Sequence, residues 1–341
     1  MSRPNALAGL RIPAALVAVF LVFSLLLLFL PGINSAPSDR RRSPITVHRG
    51  DGFSEIVGRL LDAGVIRSRW PVLLTGAVFP DLHKIKPGRY LLPHGLSNYQ
   101  LLHYLHTHPQ DEVRIMIPNG IEQRKIAEII AENLDIDSAA FMKASGSREL
   151  LASLQIGAAS TEGYLFPGTY NFAWSSRPEE VIRFLVGQFR KFYSDSLRDK
   201  TIAKGFSEHQ LLTLASIVEA ETPEDHEKPI IASVYLNRMR KNMKLQADPT
   251  VQYALEGDAR RLFFKDLAVD SPYNTYRQPG LPPGPICNPG PSSILAVLHP
   301  AETGYLYFVA TGKGGHFFAS TLAEHDRNIR KYRSVIQETG R

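Results

Sequence analysis

The sequence has one cysteine, Cys287, in 341 residues. A single thiol cannot form an intrachain disulfide, and it cannot supply a cysteine-based metal site. The excess of basic over acidic residues is also small, with a formal net charge of +6. The basic residues form no dense patch interleaved with aromatic residues. Nucleic-acid binding is therefore not expected. A mild positive excess suits an anionic polymer or a membrane surface.

Charged residues are absent from one long stretch near the N-terminus, Ala14 to Leu30. Its ~17 residues lie at the short end of the range for a membrane-spanning helix, and it is apolar on every face. A cleaved signal peptide is the alternative, but the stretch is longer than a usual signal core and no clean small-x-small site follows it. We therefore predict an uncleaved anchor. Arginines lie on both sides, so the positive-inside rule assigns no orientation.

Composition and periodicity indicate a small module and a larger domain after this stretch, with α+β as the fold class. The predicted segments are an N-terminal segment at 1–12, a transmembrane anchor at 13–31, a linker at 32–43, a small α/β module at 44–108 and a larger mixed α+β domain at 109–341, itself divided into 109–204 and 205–341. In the module, PITVHRG and KPGRYLLP have strand character. Two helical patterns accompany them, one of which has Ser97 as N-cap and Gln100 at the capping-box position.

One predicted helix of the larger domain, FSEHQLLTLASIVEAET, ends with two carboxylates, Glu219 and Glu221. Ser207 and Gln210 have capping-box spacing at its start, and apolar residues follow at helical intervals. At ~100° per residue the two carboxylates are about 200° apart, so at most one of them faces a given cleft. A carboxyl against apolar neighbours has a raised pKa and keeps a proton for general acid catalysis. The alternative is that both are solvated or paired with Lys228 or Arg238, and the helix alone leaves this open.

Amide, hydroxyl and aromatic side chains are frequent in the segments that follow. Such groups suit a sugar polymer, because planar rings stack on sugar faces while amides bind hydroxyl and acetamido groups. On base rates alone, Asp248 is a turn or cap residue and Asn274 is a loop residue. GKGGH, at 312–316, lacks the spacing of a phosphate-binding loop, so no nucleotide site is predicted.

Five ordered stretches resemble the YceG-like (MltG) family of membrane-anchored endolytic murein transglycosylases. They are EGYLFPGTY, LASIVEAET, NRMRKNMKLQADPTVQY, SPYNTY with GLPPGPICNPG, and YLYFVATGKGGHFF. The resemblance covers nearly the whole chain after the apolar stretch, and it likens the small module to a LysM-like, glycan-binding domain. Ala220 and Ala247 depart from the lysine and threonine that are frequent in the family. Neither departure removes a proposed catalytic group.

The resemblance implies a cytoplasmic N-terminus at 1–12, a single span of the inner membrane and a periplasmic domain. This domain would cleave peptidoglycan glycan strands without a metal or an organic cofactor. Peptidoglycan synthases are further expected partners. The resemblance also implies that the first glutamate of the IVExE motif, Glu219, is the catalytic acid. Glu219 would protonate the oxygen between N-acetylmuramic acid and N-acetylglucosamine, then take a proton from the muramoyl C6 hydroxyl as it closes a 1,6-anhydro ring. The predicted substrate-binding residues are Gln246, Asp248, Asn274, Tyr276, Glu162 and Tyr170.

Three other functions stay open from the sequence: a muramidase that uses water, a non-catalytic wall-binding scaffold and a pyridoxal-dependent lyase. The lyase requires a Schiff-base lysine and a phosphate site, which suits an exported chain poorly. The prediction for Glu219 carries a structural condition. Its carboxyl must be kept protonated by apolar surroundings and open onto a groove, rather than lie in an inward ion pair.

Overall fold

The computed structural model describes residues 14–36, 42–257 and 260–339. The chain divides into two compact units, Met1–Val113 with Ala173–Ser175, and Arg114–Phe172 with Ser176–Arg341. Helices predominate in both, and the described strands form small two-stranded sheets, so the predicted α+β class is confirmed. The predicted segment 1–12 and part of the predicted linker, 37–41, lie outside the described residues.

The first unit has two strands and four helices in its described part. Its elements are α1 (Ala14–Phe29), β1 (Arg42–Val47), α2 (Phe53–Asp62), α3 (Arg69–Val78), a short 3-10 helix (Pro80–His83), β2 (Gly88–Pro93) and α4 (Asn98–Thr107). β1 and β2 pair antiparallel, with Ile45 opposite Tyr90. The two strands and the helix capped by Ser97 agree with the sequence pattern. The pattern missed α3, which begins in the polar segment before Trp70.

The apolar stretch near the N-terminus forms α1, which has 16 residues and no charged side chain. None of the helices in the described ranges is both long enough and apolar enough to cross a membrane.

The second unit contains most of the helices. From β3 onward the elements are β3 (Glu112–Ile117), α5 (Gln123–Asn133), α6 (Ser138–Ser145), α7 (Arg148–Ser153), β4 (Gly168–Ala173), α8 (Pro178–Phe192), α9 (Asp195–Ala203), α10 (Glu208–Glu221), α11 (Lys228–Arg240), α12 (Asp248–Ala254), a 3-10 turn (Asp266–Ala268), α13 (Pro291–Leu298), β5 (Tyr307–Ala310), β6 (His316–Ala319) and α14 (Leu322–Thr339). β3 pairs with β4 and β5 with β6. The glycine-rich part of GKGGH, 312–315, lies in the turn of the β5–β6 hairpin, and His316 begins β6.

The helix α10 forms the centre of the second unit. Every residue from Leu211 to Val218 is buried, and the helix packs against α11, α12 and α13. The predicted capping box is present: Gln210 N–H donates to Ser207 Oγ at 3.1 Å, and Ser207 N–H donates to Gln210 Oε1 at 2.9 Å. These bonds give a partner to two backbone N–H groups at the start of the helix, those of Ser207 and Gln210. Burial on all sides then fixes the direction in which the last turn, with both glutamates, projects.

Candidate active site

The side chains of Glu219 and Glu221 leave the last turn of α10 in different directions, as their spacing predicts. Glu219 points toward α11 and α13. Its Oε1 lies 3.2 Å from Lys228 Nζ, while its Oε2 accepts bonds from Gly290 N–H at 2.9 Å and from Ser293 Oγ at 2.6 Å. The side chains of Glu219 and Lys228 are only 7% and 2% exposed. The two residues therefore form a buried ion pair that connects three helices.

These surroundings differ from those that the sequence suggests for Glu219. The sequence suggests apolar neighbours for the carboxyl, whereas the structure places an ammonium and two hydrogen-bond donors against it. Lys228 is held in turn by Ser292 Oγ at 2.9 Å and Asp225 at 2.9 Å. The condition set for Glu219 as the acid, a carboxyl free of an inward ion pair, is not met. Helix periodicity could not reveal this, because the partners come from other helices.

Glu221 lies in the contrasting environment. Its Oε1 accepts a hydrogen bond from the hydroxyl of Tyr235, which is buried on α11. The pKa of Glu221 is raised to about 7, chiefly by burial and in smaller part by the charge of Asp248, while the Tyr235 hydrogen bond and the Arg238 charge act in the opposite direction. A carboxyl with such a pKa carries a proton in a large fraction of molecules at neutral pH.

Glu221 lies on the wall of an open cleft of about 660 Å³ in the second unit. The lining includes Ala220, Glu221, Asp248, Tyr253, Arg261 and Ile286, and we call this space the Glu221 cleft. Glu219 is not part of its lining. Carboxyl, phenol and guanidinium groups thus face one concave surface, which is the usual form of a ligand site. Within the described residues, no group of three or more His, Cys, Asp or Glu side chains could hold a metal ion.

Three of the predicted substrate-binding residues lie together beside this cleft. The hydroxyl of Tyr276 donates to Asp248 Oδ1 at 2.5 Å, and Asp248 is exposed at the first turn of α12. Gln246 donates its backbone N–H to Thr275 O at 3.2 Å, and its side chain is exposed. Hydrogen bonds between segment 246–250 and Thr275 therefore hold together two loops that are distant in the sequence.

Asn274 has a different role from the predicted sugar contact. Its side chain is completely buried, and its amide donates to Leu267 O at 3.0 Å and to Val269 O at 2.8 Å. Its Oδ1 accepts from the backbone N–H of Tyr276 at 3.0 Å. These bonds use both ends of the amide group. Asn274 thus orders the loop that presents Tyr276 and has no surface for a ligand.

Glu162 and Tyr170, the predicted contacts from EGYLFPGTY, also act inside the protein. The Tyr170 hydroxyl donates to Pro167 O at 3.0 Å and closes its own turn. Glu162 is 4% exposed and accepts from Gln123 N–H at 3.0 Å and from Asn288 Nδ2 at 2.8 Å. It lies beside a smaller cavity of about 190 Å³ whose lining shares Glu122 and Tyr253 with the Glu221 cleft. Burial raises the pKa of Glu162 to about 8.

The raised pKa of Glu162 predicts that the folded chain loses stability as the pH rises. The folded state holds the Glu162 proton up to about pH 8, whereas the unfolded chain releases it near 4.5, so folding takes up a proton between these values. Stability then falls across this window, by on the order of a few kcal/mol. Denaturant melts at pH 5 and pH 8.5 measure the difference. Glu162→Gln should reduce it, and an equal difference in the variant would contradict the assignment.

The comparison with known proteins identifies the family. The model of the YceG-like family matches residues 45–331, most of the sequence. The chain belongs to the YceG-like family. A crystal structure of a YceG-like protein from Listeria monocytogenes is 32% identical and superposes with a TM-score of 0.60; the match covers 84% of this chain and 98% of that one.

Two relatives are named endolytic murein transglycosylase. The Bacillus subtilis protein is 45% identical over 178 residues, which are 52% of this chain and 49% of that protein. The Streptococcus pneumoniae protein is 28% identical over 321 residues, which are 84% of this chain and 58% of that protein. The chain therefore spans about half the length of the curated relatives it matches.

Proposed function

We propose that this YceG-like protein is an endolytic peptidoglycan lytic transglycosylase, which cleaves the bond between N-acetylmuramic acid and N-acetylglucosamine and leaves 1,6-anhydro ends. One observation carries the proposal: a carboxyl with a pKa of about 7, Glu221, lies on the wall of an open cleft that also presents Asp248 and Arg261. The names of the relatives point to the same reaction.

Glu221 is the general acid in this mechanism. Its proton passes to the glycosidic oxygen as the bond to the muramoyl anomeric carbon breaks. The carboxylate that remains accepts the proton of the muramoyl C6 hydroxyl, whose oxygen attacks the same carbon and closes the anhydro ring. One carboxyl thus serves both steps, whereas most hydrolytic glycosidases need two. The attacking hydroxyl belongs to the substrate, so its effective concentration is high.

The neighbouring residues have supporting roles. Tyr235 holds the Glu221 carboxyl in one orientation, and Asp248 with Tyr276 offers polar groups to sugar hydroxyls at the cleft edge. Glu219 remains the alternative acid, and it would first have to leave Lys228, Gly290 and Ser293. The contacts of Glu219 with Lys228, Gly290 and Ser293 support a structural role for this residue. They hold the end of α10, the helix that also carries Glu221.

The location and the small module complete the proposal. The uncharged helix α1 supports a single-pass anchor in the inner membrane with the second unit outside the cytoplasm. The antiparallel β1–β2 pair with helices between the strands supports a LysM-like module that binds glycan. Peptidoglycan synthases are proposed as partners, because a strand-cleaving enzyme at the membrane meets the strands that synthases extend.

Product analysis on polymeric glycan strands tests the function. Mass spectrometry of digested strands should give muramoyl ends that lack one water, since the anhydro ring forms without hydrolysis. Reducing ends would instead identify a muramidase. Binding without any new ends would identify a non-catalytic scaffold. Products from the strand interior, rather than single disaccharides from an end, would support endolytic cleavage.

Removal of the Tyr235 hydroxyl should shift the pH profile. The hydrogen bond from Tyr235 lowers the pKa of Glu221, so Tyr235→Phe raises that pKa. Because the acid must be protonated, activity falls as the pH rises through this pKa, and the variant's fall should move alkaline by about one pH unit. The profile of kcat/KM for strand cleavage measures the shift. Tyr276→Phe, whose hydroxyl binds Asp248, is the matched control and should keep the wild-type midpoint.

A further inference from the structure

An apolar stripe on α3 faces outward from the first unit. Trp70, Leu74 and Val78 are four residues apart, and they are 79%, 44% and 52% exposed. The buried residues of the same helix, Val72 and Gly76 among them, lie on the opposite face. Apart from Arg69 the helix has no charged side chain. A surface helix normally presents polar residues to water, so this face is unusual for a water-facing helix.

Both ends of α3 are attached to the chain where it leaves α1. At the start of α3, the Ser68 N–H donates to Asn34 Oδ1 at 3.0 Å, and Asn34 Nδ2 donates to Ser68 O at 2.8 Å. At its end, the ring of Phe79 lies edge-on to that of Phe29, with centroids 6.1 Å apart. The α3 helix is therefore at the level of the C-terminal end of α1.

The end of α1 is itself packed onto this unit. Leu28 is 7% exposed, and Asn98 Nδ2 donates to Leu27 O at 2.6 Å. Tyr99 lies between Phe29 and Phe79, at ring distances of 5.3 and 5.0 Å. The contacts join α1, α3 and α4, so the position of α3 relative to the end of α1 is set by packing rather than by a free linker.

We propose that the outward face of α3 lies in the membrane interface beside the point where α1 emerges. This inference rests on the proposed anchor, because an inserted α1 places its own C-terminal end, and with it α3, at the bilayer surface. A helix with one apolar face and an exposed tryptophan is suited to the boundary between headgroups and acyl chains. The exposed Arg67 and Arg69 at its start are suited to anionic headgroups.

A lipid surface fits this face better than a glycan. Leu74 and Val78 have no group that could bind a sugar hydroxyl. The α3 helix contacts α1, on which Val19, Phe23 and Leu26 are 44% to 66% exposed. Both helices thus present apolar side chains to solvent, and a bilayer is a suitable partner for both.

Tryptophan fluorescence of the full chain in vesicles tests the inference. The sequence has two tryptophans, Trp70 and Trp174, so Trp174→Phe leaves Trp70 as the only reporter. The chain is reconstituted in phosphatidylethanolamine–phosphatidylglycerol vesicles whose acyl chains are brominated near the glycerol. We expect blue-shifted emission that these lipids quench. In the same background, Leu74→Glu with Val78→Glu should reduce the quenching several-fold.

A matched control adds the same charge elsewhere. Met116→Glu with Ile202→Glu alters two exposed apolar residues of the second unit and should leave the quenching unchanged. Extraction with alkaline carbonate checks the anchor separately: a chain that is washed off overturns both the anchor and this inference. A chain that stays bound, with Trp70 unquenched, overturns this inference alone. Emission that responds to glycan strands instead of brominated lipid would also overturn it. The assay of anhydro ends reports independently on the proposed reaction.

Discussion

Glu221→Gln should reduce the formation of anhydro ends by about 10³- to 10⁴-fold, because the residue supplies the proton for bond cleavage and then accepts the proton of the attacking hydroxyl. The amide has nearly the same shape and can still accept the Tyr235 hydrogen bond. The raised pKa of Glu221 makes stability fall between pH 4.5 and about 7, so a neutral amide of the same shape should leave the fold at least as stable as the wild type at pH 7. Release of muramoyl ends from polymeric strands, measured by mass spectrometry, gives the rate.

The comparison that decides between the two carboxyls is Glu219→Gln, assayed at a temperature where that variant is folded. If Glu221 is the acid, Glu219→Gln keeps most of the turnover of its folded fraction. A reversal, with Glu219→Gln inactive and Glu221→Gln active, would instead restore the first glutamate of IVExE as the acid. Thermal melts of both variants separate a loss of chemistry from a loss of folded protein.

The second large effect concerns stability. Glu219→Gln should lower the free energy of unfolding by about 3 kcal/mol, because it leaves the ammonium of Lys228 in a site where that side chain is 2% exposed. Asp225 stays as a partner, but its own side chain is 73% exposed and offers a weaker, solvent-screened contact. Urea or guanidinium unfolding at pH 7 measures the difference.

A double variant tests the physical reason for that loss. In Glu219→Gln with Lys228→Met, the buried ammonium is absent, and the amide oxygen of the new side chain can still accept from Gly290 and Ser293. Replacement of a buried ion pair by groups of similar volume is often close to neutral. The double variant should therefore be more stable than Glu219→Gln. If the double variant loses as much stability as Glu219→Gln and Lys228→Met lose together, the unpaired buried ammonium of Lys228 is not the cause.

Local patterns in the sequence predicted much of the secondary structure. The capping box at Ser207, the helix capped by Ser97 and the strands β1 and β2 depend on residues close together in the chain, and all are present. The pattern missed α3, since Pro71 and the preceding polar residues resemble a turn. A helix that starts with proline in its first turn is nonetheless stable, because those N–H groups need no partner within the helix.

The candidate site was only partly predictable. Gln246, Asp248 and Tyr276 do lie together beside the cleft, but Asn274, Glu162 and Tyr170 bind the protein's own backbone and side chains. A motif shows which residue types are present, and it does not show whether a polar side chain meets a ligand or a buried backbone group. The Asn274 amide binds the backbone carbonyls of Leu267 and Val269 in its own loop. This role could be recognised only once the conformation of that loop was known.

The sequence by itself determined that α10 is buried, that it is capped at Ser207, and that its two terminal carboxyls point in different directions, since helix geometry depends only on local spacing. It also determined the family through its ordered motifs. Tertiary structure alone decided which carboxyl faces the cleft. Lys228 and Ser293 reach Glu219 from two other helices, while Tyr235 and Asp248 lie close to Glu221 and affect its pKa. The environment of a carboxyl depends on such neighbours rather than on its position in a motif.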